Sequence, residues 1–459
     1  MSNDDTIAAI STPVGFSGIG IVRVTGNKTF EIINKIFRSK VRTFNDFENR
    51  KIIYGHIIDN FTEDIIDEVL VSKMKGPKTY TKQDLVEVNC HGGIIPVKKI
   101  LELILKNGAR LAEPGEFTKR AFLNGRIDLT QAEAVIDIIN AKTNKSLDIS
   151  LKQLDGSISK KINVIRNKIL EMLAHIEANI DYPEYDIEEV SYDEILKESI
   201  VVRNEVKDLI YNSENGRLIR EGINTTIIGK PNVGKSSLLN TLLGHKRAIV
   251  TEIPGTTRDT IEEYISIEGV PLKIIDTAGI RETENIIEKI GIEKTKDILN
   301  QCDLVLLLLD SSNILDDDDI VLLKMINNKR AIILLNKVDK DVRINEKDIK
   351  KITNKQIVQI SATEELGIER LKKCVLESVS DNGLELESFE IVSNIRHINL
   401  LKETNESLKH VIEAIKAKIP LELVSTDLKD SWGLLGEITG DTINEDIMDK
   451  IFSNFCIGK

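Results

Sequence analysis

The stretch that decides the fold of this 459-residue chain is Gly229-Lys-Pro-Asn-Val-Gly-Lys-Ser236. It follows an apolar run at residues 223–228 and precedes a helical pattern, which is the context in which a GxxxxGK(S/T) loop binds phosphate. Backbone N–H groups of such a loop surround phosphate oxygens, and its glycines permit their close approach. We therefore expect Lys235 to reach the β and γ phosphates of a nucleotide and the Ser236 hydroxyl to ligate magnesium.

Two further motifs complete the predicted phosphate and magnesium side. Asp276-Thr-Ala-Gly279 follows a strand-like run, so its carboxylate is expected at the C-terminal end of a strand, where α/β sheets bind ligands. We expect Asp276 to support magnesium through water and the Gly279 amide to contact the γ phosphate. The loop Gly255-Thr-Thr-Arg-Asp259 precedes that strand, which makes Thr257 the expected second hydroxyl ligand of magnesium.

Two short motifs predict guanine as the base. Asn336-Lys-Val-Asp339 ends an apolar run, and the Asp339 carboxylate can accept hydrogen bonds from the guanine N1–H and exocyclic amine together. Adenine offers no such donor pair, so a desolvated carboxylate left unpaired would reject ATP. Ser361-Ala-Thr363 is expected to supply a backbone amide to the guanine carbonyl. The predicted GTP-binding residues are Asn232, Val233, Gly234, Lys235, Ser236, Ser237, Thr251, Glu252, Ile253, Pro254, Gly255, Thr256, Thr257, Asp276, Thr277, Ala278, Gly279, Asn336, Lys337, Val338, Asp339, Ser361, Ala362 and Thr363.

The remaining sequence predicts a multidomain α/β and all-α protein in four segments. Residues 1–123 alternate short apolar runs with Gly, Pro and Asn, which indicates an α+β N-terminal domain. Residues 222–379 alternate strand-like and helical runs, which predicts a mostly parallel sheet. With the nucleotide motifs above, this segment resembles a Ras-like P-loop GTPase domain, and we expect it to be inserted between two helical segments. Residues 124–221 and 380–459 are then the two parts of a helical bundle domain.

Helical periodicity supports the bundle. We expect Asp128 and Gln131 to cap a helix, and the acidic run Asp316 to Asp319 to be a solvated helix start. Apolar residues at steps of three or four predict one buried seam in each half of the bundle. The seam residues are Ile158, Ile162, Ile165, Ile169, Met172, Ile176 and Ile180 in the first half, and Leu401, Leu408, Val411, Ile415 and Ile419 in the second.

Composition limits the partners and the compartment. Asp and Glu number 74 against 62 Lys and Arg, giving a formal charge of −12, whereas proteins held to nucleic acid by phosphate contacts are usually basic. Any RNA contact is therefore expected to be local or shared with a partner. Cys90, Cys302, Cys374 and Cys456 lie far apart, which favours free thiols in a reducing cytoplasm. We expect no signal peptide, because the N-terminus MSNDDTIAAIST is acidic and lacks both a basic n-region and an apolar h-region. We expect no membrane partner, because the longest apolar run, residues 304–309, is far shorter than a bilayer span.

The nucleotide motifs resemble those of translational GTPase-like P-loop proteins, with one departure. In Ras-like proteins a Gln after the DxxG element orients the attacking water, but this position is Ile280 here. Asn232 in the phosphate loop, the loop TEIPGTT at residues 251–257 and the distal Glu288 together resemble the potassium-activated subgroup. Among its members the chain is similar, over nearly its whole length, to the MnmE (TrmE) family of tRNA-modification GTPases.

This resemblance implies a cation-assisted hydrolysis. It implies a potassium ion where an arginine finger would otherwise lie, held by Asn232, Thr251, Ile253 and Thr256, and completed when two GTPase domains pair in a homodimer. Glu288 aligns with the family's water-orienting, catalytic glutamate. The alternative for Glu288 is a solvated helix residue, because carboxylates are common on helices.

The resemblance also extends to both ends of the chain. GFSGIGIVRVTG, LVEVNCHGG and EPGEFTKRAFLNGRIDL resemble the family's tetrahydrofolate-binding and dimerisation domain. It implies that Arg23, Glu87 and Arg126 contact a formyl- or methylene-tetrahydrofolate, and that Lys459 with its terminal carboxylate touches it as well. The closing FCIGK makes Cys456 a candidate catalytic nucleophile or acid/base; the alternative is a small apolar side chain.

The function implied by the resemblance goes beyond GTP hydrolysis. With a flavin-dependent partner, MnmG (GidA), in a heterotetramer, such proteins install an aminomethyl or carboxymethylaminomethyl group on carbon five of the wobble uridine of certain tRNAs. The tRNA would be contacted mainly through the partner. Two alternatives stay open: a ribosome-assembly GTPase of the Era or Der type, which shares GKPNVGKSSL and NKVD, and a purely regulatory switch. The single phosphate loop and acidic balance favour the modification enzyme over the Era or Der type.

Overall fold

The structure, a computed structural model, describes residues 5–181, 192–244, 263–275, 299–300, 302–379 and 391–459. The chain divides into two compact units. The first comprises Met1–Ile136, Leu154–Ser159 and Gly436–Lys459, and the second comprises Asp137–Gln153 and Lys160–Leu435. In the described ranges no helix combines the length and the apolar character needed to span a bilayer.

The first unit contains a seven-stranded mixed sheet in the order β3-β4-β5-β6-β2-β1-β7. Only the pair β1–β7 is parallel; the other neighbours run antiparallel. One face packs on α1 and α2 through a core that contains Val22, Val24, Val86 and Val88. The strands are β1 Ile7–Ile10, β2 Ser17–Thr25, β3 Phe37–Arg38, β4 Ile52–Ile58, β5 Ile65–Met74, β6 Leu85–Gly92 and β7 Arg110–Leu111, and the helices are α1 Thr29–Ile36 and α2 Ile94–Lys106.

Because side chains alternate across a strand, the residues between these valines point to the other face of the sheet. Arg23 lies opposite Glu87 in the register of β2 and β6. Both are therefore on the face that α1 and α2 leave uncovered.

The rest of the first unit is helical. A second core, which includes Leu129, Phe452 and Phe455, joins α3 and α4 to the C-terminal segment. The predicted cap at the start of α4 is confirmed, since Asp128 Oδ1 accepts from Gln131 N at 2.9 Å and Gln131 Oε1 accepts from Asp128 N at 3.0 Å. The helices are α3 Glu116–Leu123, α4 Leu129–Asn140 and α14 Glu445–Ser453.

The helical part of the second unit confirms most of the predicted seams. In the first half, residues 162, 165, 169, 172 and 176 are all buried, and in the second half residues 401, 408, 411 and 415 are buried. Ile419 was expected on the second seam, and this is wrong: α12 ends at Lys416, and the Ile419 side chain is 37% exposed. The helices are α5 Asn144–Leu154, α6 Ser157–Asp181, α7 Tyr192–Glu221, α12 Ile395–Lys416 and α13 Leu421–Thr439, and α7 packs along α12.

The second unit also contains a six-stranded sheet in the order β13-β12-β11-β8-β10-β9. All neighbours are parallel except the hairpin β9–β10, which confirms the predicted mostly parallel sheet. Alternate residues of β11 and β12 enter two different cores, so both faces of these strands are covered. The strands are β8 Ile223–Ile228, β9 Glu263–Ile267, β10 Val270–Ile274, β11 Leu304–Asp310, β12 Ala331–Asn336 and β13 Gln356–Gln359, and the helices are α8 Lys235–Gly244, α9 Asp317–Met325, α10 Glu346–Lys350 and α11 Ile368–Val379.

Candidate functional site

The phosphate loop lies between β8 and α8, as its motif requires. Its backbone takes left-handed angles at Asn232, with φ +62°, and at Gly234, with φ +104°. A Cβ on Gly234 would lie 2.2 Å from Nδ2 of Asn336, so only glycine fits at this position. The glycine therefore allows the loop to approach the guanine-binding motif closely.

Lys235 begins α8 and folds back over the loop. Its Nζ donates to the carbonyl of Gly229 at 2.9 Å and to that of Lys230 at 2.7 Å. Burial lowers the pKa of Lys235, because desolvation disfavours the charged ammonium. Phosphate oxygens of a bound nucleotide would supply a countercharge to this ammonium. Ser236 follows in the first turn of α8 and is exposed, accessible to a magnesium ion on the phosphates.

Asn336, the last residue of β12, joins three of the predicted motifs. Its buried side chain donates through Nδ2 to the carbonyl of Val233 at 2.7 Å and accepts through Oδ1 from Ala362 N at 3.0 Å. Lys337 adds a second link, since its Nζ donates to the carbonyl of Asn232 at 2.8 Å and to Asp310 Oδ2 at 2.7 Å. The phosphate loop is thus fixed from the guanine side.

Asp339 is exposed and is oriented by a neighbouring loop. The Ser361 hydroxyl donates to Asp339 Oδ1 at 2.6 Å, and this hydrogen bond lowers the pKa of the carboxyl group. The group therefore stays an ionised acceptor, as recognition of two guanine donors requires. We call residues 229–237, 336–339 and 361–363 together the nucleotide cradle; they meet where β8, β12 and β13 end.

Twelve predicted site residues lie outside the described residues. Of the potassium ligands the structure describes Asn232 alone, and of the magnesium ligands Ser236 alone. The residues outside are Thr251, Glu252, Ile253, Pro254, Gly255, Thr256, Thr257, Asp276, Thr277, Ala278, Gly279 and Glu288.

Sequence reasoning did not pair acidic residues with the cradle. Asp310 ends β11 in register with Asn336 of β12, and this position at the end of an apolar run is the signal that could have identified it. Asp319 was expected in a solvated helix start, which is wrong for this residue. It is buried, and its Oδ2 accepts from Lys230 Nζ at 3.0 Å.

Three of the predicted folate residues, Arg23, Glu87 and Arg126, come together beside the sheet face opposite α1 and α2, on which Phe117 also packs. Arg23 donates to Glu87 Oε1 through Nε at 2.9 Å and pairs with the same oxygen through Nη2 at 2.8 Å. Its Nη1 donates to the carbonyl of Gly458 at 3.1 Å, although these two residues are 435 positions apart. The arginine is therefore fixed between a strand neighbour and the C-terminal segment.

Tyr80 is the aromatic centre of this cluster and was not predicted. The guanidinium of Arg126 lies 4.7 Å from its ring centroid, and that of Arg23 lies 5.8 Å from it. Arg23 also lies 5.6 Å from the ring centroid of Phe117. We call Arg23, Tyr80, Glu87, Arg126 and Gly458 the folate cluster, after the ligand that the family resemblance implies for three of these residues.

A glycine also permits the close approach of the C-terminal segment. Gly458 has φ +88°, and a Cβ there would lie 2.4 Å from the carbonyl oxygen of Ile10. The carbonyl of Lys459 accepts from Phe117 N at 3.1 Å, and that of Cys456 accepts from Gly115 N at 3.4 Å. The Cys456 side chain is exposed. Backbone contacts therefore hold this segment against the sheet and α3.

Comparisons with known proteins identify the family of the chain. The family model of the GTP-binding protein TrmE N-terminus matches residues 6–126, and that of the MnmE helical domain matches residues 129–456. The tRNA modification GTPase MnmE of Alkaliphilus oremlandii is 53% identical over 99% of both chains, and that of Clostridioides difficile is 50% identical over 99% of both. The solved G domain of the T. maritima FeoB iron transporter is 26% identical, covers 34% of this chain and 99% of its own, and has a TM-score of 0.27.

The two family models cover both sides of the phosphate loop as well as the loop itself. Such coverage is not expected of a ribosome-assembly GTPase that shares the nucleotide motifs alone, so the Era or Der alternative is set aside. On the strength of these models and of the full-length relatives, the chain belongs to the MnmE family of tRNA modification GTPases.

Proposed function

We propose that this chain uses GTP hydrolysis to drive modification of carbon five of the wobble uridine in certain tRNAs, with a one-carbon unit from tetrahydrofolate. The observation that carries the proposal is the folate cluster, which combines a carboxylate, two arginines and an aromatic ring beside the chain's C-terminal segment. Relatives that match 99% of the chain are named tRNA modification GTPases, which supports tRNA as the substrate.

The cluster has the chemistry that a folate requires. The Glu87 carboxylate can accept from the donor edge of a pterin, and its side chain is 25% exposed, so a ligand can reach it. Arg23 and Arg126 carry the positive charge that suits the ligand's carboxylates. Tetrahydrofolate supplies the one-carbon unit when it is bound. The protein would bind the ligand through the charges of Glu87, Arg23 and Arg126 and through contact with the Tyr80 ring.

Cys456 is proposed as the reactive group beside this ligand, as a nucleophile or an acid/base, and Lys459 as a further folate contact. The exposed thiol and the backbone contacts of the segment to Gly115 and Phe117 support this. Replacing Cys456 with Ser keeps the size of the side chain and removes the thiol. We expect such protein to bind folate normally but to lose tRNA modification.

The nucleotide cradle supports GTP as the energy source. Asp339 faces solvent as an ionised acceptor, and Lys235 is placed to exchange its carbonyl partners for phosphate oxygens. Ser236 and Thr257 are proposed to ligate magnesium, with Asp276 supporting the ion through water; the magnesium would neutralise charge on the phosphates.

Potassium is proposed to bind Asn232, whose backbone is held by Lys337 while its exposed side chain stays accessible to an ion. Thr251, Ile253 and Thr256 would complete the ligand set, and Glu288 would orient the attacking water. GTP turnover in potassium and in sodium buffer of equal ionic strength tests this set. We expect faster turnover in potassium, and equal rates would count against the cation site.

The hairpin β9–β10 supports coupling between hydrolysis and modification. In the sequence, β9 begins six residues after Thr257 and β10 ends two residues before Asp276, so the hairpin lies between the two predicted magnesium-side motifs. Its turn is attached to the start of α5: Thr143 Oγ1 donates to the carbonyl of Gly269 at 2.7 Å. Lys142 Nζ also lies 5.2 Å from the ring centroid of Tyr264.

We therefore propose that a change at either motif on GTP hydrolysis is transmitted through this hairpin to the helical part of the same unit. A GTPase-dead Asp276→Ala protein should fail to sustain tRNA modification. If it sustained full modification, the coupling would be wrong.

The net charge of −12 supports a shared tRNA site, since a chain this acidic gains little from phosphate contacts over its whole surface. We propose that the flavoenzyme MnmG contributes most of the tRNA contact in a heterotetramer, and that this chain forms a homodimer. The proposed function as a whole is tested in a strain that lacks this gene. Mass spectrometry of its tRNA should show loss of the modified wobble nucleoside, and an unchanged nucleoside content would overturn the proposal.

A further inference from the structure

Lys230, the second residue of the phosphate loop, has a role that the nucleotide motifs do not assign. Its Nζ donates to Asp316 Oδ2 at 2.5 Å and to Asp319 Oδ2 at 3.0 Å. Both acids belong to the run at residues 316–319, which was expected to do no more than begin a helix in solvent. The run does begin α9, but it also holds the phosphate loop.

The two acids form a fixed acceptor pair. Asp316 Oδ1 accepts from Asp319 N at 3.1 Å, and Asp319 Oδ2 accepts from Asp316 N at 3.3 Å, so each caps the other at the start of α9. The Asp319 side chain is 6% exposed and that of Lys230 is 20% exposed. Water and salt screen the pair between Lys230 and Asp319 weakly. Replacing Lys230 would therefore take this counterion away from the buried Asp319 carboxylate.

The same lysine is linked to the phosphate-binding residue through its backbone. The carbonyl of Lys230 accepts from Lys235 Nζ at 2.7 Å. On the far side of the loop, the carbonyl of Asn232 accepts from Lys337 Nζ at 2.8 Å. The loop is therefore held on both sides of residue 231. The Lys230 side chain holds it on one side, and Lys337 holds it on the other through the Asn232 carbonyl.

We propose that Lys230 and Asp319 are positioning residues for nucleotide binding, which hold the phosphate loop in its binding shape before GTP arrives. A loop that must first be ordered binds its ligand more weakly. Because GDP and GTP use the same loop, its disorder weakens both and raises KM while kcat changes little. This inference goes beyond the proposed function and does not depend on folate, on tRNA or on the partner enzyme.

The test compares Lys230→Met, Lys230→Arg and Asp319→Asn by titration with a fluorescent GDP analogue and by steady-state GTP turnover. We expect Lys230→Met to weaken GDP binding and raise KM about tenfold, with kcat within about twofold. Lys230→Arg keeps the charge and should bind GDP within about twofold of the natural protein. The double variant Lys230→Met with Asp319→Asn should bind no more weakly than Lys230→Met alone, because Lys230→Met already removes the ion pair that Asp319→Asn breaks.

Lys351→Met is the matched control. Lys351 pairs with Asp348 in the same unit, but its side chain is 75% exposed. It is the C-cap residue of α10 and lies outside the cradle. The control variant should bind GDP as the natural protein does. Thermal unfolding of each variant shows whether it has folded. If Lys230→Met has not folded, the GDP affinities of Lys230→Arg and Asp319→Asn are compared instead.

Three results would overturn the proposal. One is folded Lys230→Met or Asp319→Asn protein with natural GDP affinity. Another is Lys230→Arg that binds as weakly as Lys230→Met. The third is a fall in kcat at unchanged KM, because that would place the lysine in the chemical step.

Discussion

The nucleotide cradle and the folate cluster are assembled in different ways. The cradle consists of three short contiguous segments that a parallel sheet brings to one edge, and backbone carbonyls and amides make most of its links. The folate cluster takes single side chains from distant positions, and one link spans 435 residues. In both, a glycine with positive φ permits a close approach, Gly234 in one and Gly458 in the other. A site made of contiguous motifs is therefore visible in sequence, whereas a site made by packing must be found in the fold.

The largest expected effect concerns base recognition in the cradle. Asp339→Asn replaces two acceptor oxygens of the carboxylate by one acceptor oxygen and one donor NH2 group. This pattern fits xanthine, in which a carbonyl stands in place of the exocyclic amine of guanine. We expect GTP affinity to fall about a thousandfold and XTP to become the better ligand. Competition titration with the two nucleotides measures this. Folate affinity serves as the internal control and should not change; a variant that still prefers GTP would contradict the assignment of Asp339.

The second effect concerns the close approach inside the cradle. Gly234→Ala places a methyl group 2.2 Å from Asn336 Nδ2 in a left-handed backbone, so the loop must move. We expect GDP affinity to fall about a hundredfold, because the moved loop loses several phosphate contacts. Gly244→Ala is the control, since a Cβ at Gly244 meets nothing within 4 Å. Equal GDP affinity in the two variants would show that the loop is less tightly defined than described.

The third effect is the counterpart in the folate cluster. Gly458→Ala would bring a Cβ within 2.4 Å of the Ile10 carbonyl and displace the segment that accepts from Arg23. We expect the affinity for a reduced folate, measured by calorimetry, to fall about tenfold, with GDP affinity unchanged. Gly433→Ala, at a glycine with open space around it, should leave both affinities unchanged. A fall in GDP affinity in the Gly458 variant would argue against two separate sites.

The smallest effect concerns the aromatic centre of the cluster. Arg126 is exposed over the Tyr80 ring, and cation–π contacts at exposed sites are weak. We expect Arg126→Met to weaken folate binding about fivefold, mainly through loss of the ligand's charge partner. Tyr80→Phe keeps the ring and should bind folate nearly as well as the natural protein. If Tyr80→Phe instead lost as much affinity as Arg126→Met, the hydroxyl, which bonds Thr118, would be the important group.

Local patterns predicted the parts of the molecule that depend on local rules. The phosphate loop, the strands β11 and β12, and the Met172 seam follow from spacing and periodicity, and the structure confirms them. Ile419 fits the same period but lies beyond the end of α12, because periodicity does not show where a helix stops. Tyr80 and Asp310 were missed, since each becomes part of a site only through a neighbour that the fold supplies.

The buried Asp319 also shows that sequence patterns do not identify distant contacts. Four consecutive aspartates correctly predict the start of a helix, because acids favour helix N-termini. Their sequence does not show that one of them faces Lys230 of a loop 89 positions away. This run of aspartates thus predicted local secondary structure correctly but did not show which distant residue forms an ion pair with it.

The central claim is that one chain uses two separate sites for one product, and the tRNA of a complemented deletion strain tests it most directly. Plasmids would supply the natural chain, Gly234→Ala, Gly458→Ala, or the controls Gly244→Ala and Gly433→Ala, at matched protein levels. Mass spectrometry of the wobble nucleoside should show full modification with the natural chain and both controls, and strong loss with each of the two site variants. Full modification with either site variant, its binding defect being verified in vitro, would contradict the account.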